Sequence, residues 1–128
     1  MNFESFAHVP VTRELLRHVW EGEENETLGG HRFGLGRNQK TEFPEHWTIE
    51  MVEFALTETL RSPQRIGFRG KGVSCLRQVG VVVVKVKLRI VDHEYIAVTG
   101  FPVCGEGVIR NVQGRQIPQP LDLRVLEA

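Results

Sequence analysis

Two histidines and a lysine, His18, His31 and Lys40, are the residues of this chain whose types fit a cleavage reaction without a metal. Cutting RNA that way needs a base for the 2′-hydroxyl proton and an acid for the departing 5′-oxygen. It also needs a cation for the charge on a phosphorane-like transition state. Histidine suits the first two roles because its ordinary pKa of about 6.5 lets both forms exist near neutrality. Lysine suits the third as a compact fixed charge. Each residue also has a plain structural use. His18 would sit in the last turn of a helix, where a cation favours the negative end of the dipole. Lys40 alone would be a solvated surface side chain. The glycines around His31 would let the backbone come close to a ligand, or simply loosen a loop. His46 competes for the place of second histidine but adjoins a helix start, while His8 and His93 read as terminus and turn residues.

These residues must be positioned by local structure. Thr12 is placed to cap a helix running to about Trp20, with Leu15, Leu16 and Val19 on its apolar face and Gly22 ending it. Residues 21–45 then form a long loop holding Gly29, Gly30, Gly34 and Gly36; loops of that length in small domains tend to be functional or disordered. Thr48 caps a second helix in which Ile49, Val52, Leu56 and Leu60 recur at helical spacing, and Ser62-Pro63 ends it. Phe43 and Trp47 are assigned to packing at the start of that helix.

The remainder reads as strands. Residues 66–68 form a short one and residues 79–91 a long one, with Val82, Val84, Val86, Leu88 and Ile90 on one face and Lys85, Lys87 and Arg89 on the other. After a polar turn at Asp92-His93-Glu94, residues 95–101 return as the partner strand, closed by Pro102. If Ile96 and Val98 face the core, Thr99 shares the outward side with Ala97 and Phe101. Residues 108–112 offer one more strand, and residues 114–128 read as extended or irregular. The class expected is α+β, N-terminal helices on a mostly antiparallel twisted sheet, in a single domain over residues 1–128.

Sixteen basic and sixteen acidic residues cancel. That argues mildly against a non-specific nucleic-acid binder, which relies on summed positive charge, but not against an enzyme that engages a few phosphates. Residues 1–10 lack the basic-then-apolar pattern of a signal peptide, and no apolar run is long enough for a membrane span. Cys75 and Cys104 match no close metal-ligand spacing and fit one disulfide or two reduced core thiols, the second being the commoner habit. No metal and no cofactor is expected.

Gly29-Gly30-His31, then Lys40-Thr41-Glu42-Phe43-Pro44, then Trp47 leading into a helix, resembles the core signature of bacterial EndoU nuclease domains. These are common as C-terminal toxin modules of contact-dependent inhibition and other polymorphic toxin systems. Upstream, His18-Val19-Trp20-Glu21-Gly22 resembles the histidine segment of that family. Downstream, Val98-Thr99-Gly100-Phe101-Pro102 resembles its closing strand, with Phe101 where the family usually carries a tyrosine.

The resemblance implies a barnase/EndoU/colicin-RNase-like architecture and an endoribonuclease that leaves 2′,3′-cyclic phosphate and 5′-hydroxyl ends. His18 and His31 become the acid–base pair, with His31 as base and His18 as acid by analogy. Lys40 becomes the phosphate-stabilising cation and Thr99 a substrate or orienting contact. Gly30, Thr41 and Phe101 are taken as substrate contacts, the Phe101 ring stacking on a base or ribose. Lys85 and Lys87 are either a phosphate track or the wet face of a sheet. The chain would then be a monomeric C-terminal part of a longer exported toxin, acting on RNA, with tRNA the leading substrate, in the target-cell cytoplasm. A dedicated immunity protein would cover its site. Two other readings compete: a non-catalytic RNA- or protein-binding module, and an RNase using other residues, with His18 or Lys40 far from His31.

Overall fold

The computed structural model describes residues 5–127 of the chain. Among them the first helix, α1, spans Arg13–Trp20, and the Thr12 side chain accepts the Leu15 N–H at its start. Leu15 and Val19 are buried, so the helix turns its apolar stripe inward and leaves Arg13 and Glu14 in water. The chain leaves the helix through Gly22 at φ +82°, a conformation that side chains rarely adopt. The second helix, α2, spans Ile49–Arg61 and is capped by Thr48, whose side chain accepts the Met51 N–H. Val52, Ala55, Leu56 and Leu60 form its buried face, and Glu50 and Glu53 its wet one.

The strands make the α+β architecture expected, divided between two antiparallel sheets. The larger is a meander of β2 (Arg65–Arg69), β3 (Gly72–Val79), β4 (Val82–Val91) and β5 (Glu94–Gly105). The smaller has β1 (Thr41–Glu42) at one edge, then β6 (Ile109–Val112) and β7 (Arg115–Pro118). The core lies where both helices meet the larger sheet, and takes in Val82, Val84, Val86 and Leu88 of β4. A smaller cluster of Leu76, Val83 and Cys104 lies under the 3-10 turn Leu123–Leu126. Both cysteines are free and buried.

Three sequence expectations need correction. Residues 79–91 are not one strand: Val79 pairs with Val82 around Gly80-Val81, so β3 ends where β4 begins. A valine run on both sides of one glycine hides that reversal from a reading by periodicity. Pro102 does not close β5, which continues to Gly105; it sits opposite Val84 beside a register shift, where a missing N–H is tolerated. Residues 72–78, given to no element, form most of β3, and residues 115–118, read as extended or irregular, pair with β6 as β7.

The face assignment of β5 was also inverted at its start. Tyr95 and Ala97 pack against the core, whereas Ile96 and Val98 are 44% and 38% exposed. Pairing then skips Val98, because Lys87 faces Thr99 while Leu88 faces Ala97. This bulge moves the alternation on by one residue. Beyond it Gly100 faces α2, so closely that a Cβ there would run into Leu56, and Thr99 and Phe101 lie on the Lys85–Lys87 side.

Candidate active site

The site is assembled on the C-terminal end of α1. The last carbonyls of a helix have no partner within it. Here the N–H groups of Gly30, His31 and Arg32 donate to the carbonyls of His18, Val19 and Trp20, at 3.0, 2.7 and 3.1 Å. One stretch of loop thereby fixes His31 against the turn that carries His18. Gly29 and Gly30 make that approach feasible, since a Cβ would strike the His18 carbonyl at one and Arg37 at the other. Their use is therefore loop-to-helix contact, and Gly30 does not line the cleft.

His31 is only 3% exposed. Its Nδ1 lies 2.6 Å from the Thr41 carbonyl, which can only accept, so Nδ1 carries the proton. Burial pushes the His31 pKa down to about 4, with Lys40, His18 and Arg37 adding to the fall against the opposing bond to Thr41. The ring is thus neutral at pH 7 and its Nε2 holds a lone pair. Among the described residues no group bonds to Nε2, yet no buried side-chain nitrogen or oxygen lacks a partner, so this atom is reached from the cleft. Phe101 stacks on the ring at 5.4 Å between centroids.

His18 is held at both nitrogens. Its Nδ1 donates to Glu23 Oε2 at 2.9 Å, and its Nε2 lies 3.1 Å from Thr99 Oγ1. The bond to His18 holds the Glu23 carboxyl below the usual range. Glu23 is kept in place by Arg37, whose guanidinium donates to the Glu23 carbonyl at 2.7 Å and to the Leu28 carbonyl at 3.2 Å.

Beside His31 opens a cleft of about 300 Å³, whose lining includes His31, Lys40, Lys87, Thr99, Phe101 and Arg110; His18 does not line it and adjoins it through Thr99. Lys40 is half-buried, and the Asn111 amide donates to its carbonyl. Partial burial, then repulsion from Arg37 and Lys87, lowers its pKa. Among the described residues, Lys40, Lys87 and Arg110 take part in no ion pair. A neutral imidazole, a second imidazole on a carboxylate and three unpaired cations can together bind a phosphodiester and move two protons about it.

The other expected contacts divide. Lys87 and Lys85 stand 5.8 and 5.9 Å from the centre of the Phe101 ring, and Lys87 also lines the cleft. Thr41 lines it too, but its hydroxyl donates to the Pro102 carbonyl, so its part is to hold His31 and tie β1 to β5. His46 is exposed, and Phe43 stacks on Trp47 as packing.

Four contributors were not singled out from the sequence. Glu23 stands one residue beyond the Gly22 reversal, which is what returns it to His18. Arg37 and Arg110 carry no local signal. Glu42, within the quoted motif, is fully buried and accepts from the N–H groups of Gly34 and Gly36 and from the Asn111 amide. Among the described residues no group of three or more His, Cys, Asp or Glu is placed to hold a metal, and no helix is long and apolar enough to cross a membrane. Comparison of the chain with protein families, curated proteins and solved structures found no match in any of the three.

Proposed function

We propose that this chain is an endoribonuclease of EndoU-like type, cleaving RNA by attack of a 2′-hydroxyl on the adjacent phosphate. The observation that carries the reading is the neutral His31 in a cationic cleft that His18 adjoins through Thr99. His31 is kept neutral, with Nε2 free to take the 2′-hydroxyl proton. His18, backed by Glu23 and lying on Thr99, is suited to protonate the departing 5′-oxygen. Lys40, with Lys87 and Arg110 beside it, faces the charge that grows on the phosphorus oxygens. Each proton removed is matched by one returned, so the products are a 2′,3′-cyclic phosphate and a 5′-hydroxyl, and no metal is needed. The Phe101 ring stacks on His31, with the Lys85 and Lys87 ammonium groups over it.

By the same resemblance the substrate is tRNA of a target cell, the chain is the C-terminal module of an exported toxin, and an immunity protein covers the cleft. The test is incubation of the purified chain with total tRNA in EDTA, followed by analysis of the new ends. Cyclic phosphate and 5′-hydroxyl ends are expected, lost by about two to four orders of magnitude in His31→Ala. Absence of cleavage, 3′-hydroxyl ends, or a fully active His31→Ala chain would each refute the reading.

A further inference from the structure

The larger sheet presents to solvent a groove of about 830 Å³ that is separate from the His31 cleft but shares Lys87 with it. Six cations line this groove: Arg65, Arg69, Lys71, Lys85, Lys87 and Arg89. Among the described residues no carboxylate lines it, and none of the six is in an ion pair. For a chain of zero net charge this is a strong segregation. Like charges side by side on a sheet destabilise it. Lys85 registers that cost: burial, then Lys87 and Arg65, pull its pKa down.

Register places the cations in rows leading away from the chemistry. One row runs from Phe101 through Lys85 and Leu76 to Arg65, another from Ile96 through Arg89 and Gly72 to Arg69. The row between them, from Thr99 through Lys87 to Ser74 and Gly67, has a floor of small residues. Three strand spacings of about 4.8 Å put β2 roughly 14 Å across the sheet from β5. That is a few nucleotides from a phosphate held in the cleft.

We propose that this face is the track for single-stranded RNA beyond the scissile phosphate, so that the substrate lies across β5, β4, β3 and β2. The inference rests on the ribonuclease reading for the identity of its ligand. Unpaired cations call for a polyanion, the small-residue floor admits a backbone, and continuity through Lys87 leads that backbone to the cleft. Contacts of this kind position a strand without reading its sequence.

The test uses the chain silenced by His31→Ala, or by His18→Gln if the first fails to fold. Its affinity for a labelled single-stranded RNA of mixed sequence is followed against salt. Adding Arg69→Gln and Arg89→Gln should weaken binding about tenfold or more at low salt and reduce the log–log salt slope by about 0.7 for each arginine. Arg13→Gln with Arg115→Gln, an equal loss of charge elsewhere, should leave both nearly unchanged. Equal effects of the two pairs would overturn the track. So would polyaspartate binding as tightly as RNA, which would make the face a dock for an acidic protein. Cleavage of a dinucleoside monophosphate by the unsubstituted chain reads the chemistry alone. Its failure, with binding as expected, would remove the nuclease reading and leave the track standing.

Discussion

The Nε2 of His18 lies 3.1 Å from the hydroxyl of Thr99, 81 residues along the chain, and this contact joins the helix of the site to its sheet. Thr99 is available to His18 because the bulge at Val98 turns it to the outer face of β5. Its hydroxyl fixes the edge of the imidazole from which a proton would pass to the leaving oxygen.

Thr99→Val keeps the shape and removes that hydroxyl. We expect kcat to fall about tenfold to a hundredfold, less than the full worth of a general acid, with KM little changed. Thr99→Ser should restore most of the rate. A Thr99→Val chain with unaltered kcat would show that the hydroxyl does not orient His18.

His31 gives a pH signature in stability. Its folded pKa of about 4 lies below the ordinary value of about 6.5, so the unfolded chain takes up a proton first as pH falls. The stabilisation tied to neutral His31 is therefore complete above about pH 6.5 and lost as pH drops towards 4, a change of roughly 3 kcal/mol. Denaturant unfolding across that range should show the loss in the native chain and much less of it in His31→Gln. A ring titration by NMR with a midpoint at 6.5 or above would contradict the assignment. The acid limb of kcat/KM should fall near pH 4 for the same reason.

Glu42 is the stability test of the loop. Glu42→Ala leaves the N–H groups of Gly34 and Gly36 and the Asn111 amide without their acceptor. Gly34 and Gly36 are exposed and their N–H groups can turn to water, so the cost should be that of the one buried Asn111 donor left unpaired, about 1–3 kcal/mol. Chemical denaturation measures it directly, and a loss within about 0.5 kcal/mol, the range of an ordinary surface change, would mean that the loop is held by other contacts.

The helices were legible because each carries its start and stop in a few adjacent residues: Thr12 and Gly22 for α1, Thr48 and Ser62-Pro63 for α2. The strands were legible in β4, where valines alternate with lysines; β3 and β7 were not read as strands. At β3 a two-residue turn interrupts an apolar run without changing its composition. At β7 the residues are polar and exposed, and only pairing with β6 makes them a strand.

The site divides in the same way. The sequence by itself determined the chemistry on offer, two imidazoles and a lysine with glycines close by, since residue type sets pKa range and charge. Tertiary structure decided what each group is able to do. A bond to the Thr41 carbonyl set the tautomer of His31, burial kept it neutral, and the Gly22 reversal brought Glu23 to His18. A single unpaired residue, Val98, put Thr99 on the outer face. Alternation along β5, taken from Ile96 and Val98, reached the right side for Thr99 by way of the wrong core face. Local spacing cannot reveal such a bulge, because the skipped residue is defined only by its pairing with β4.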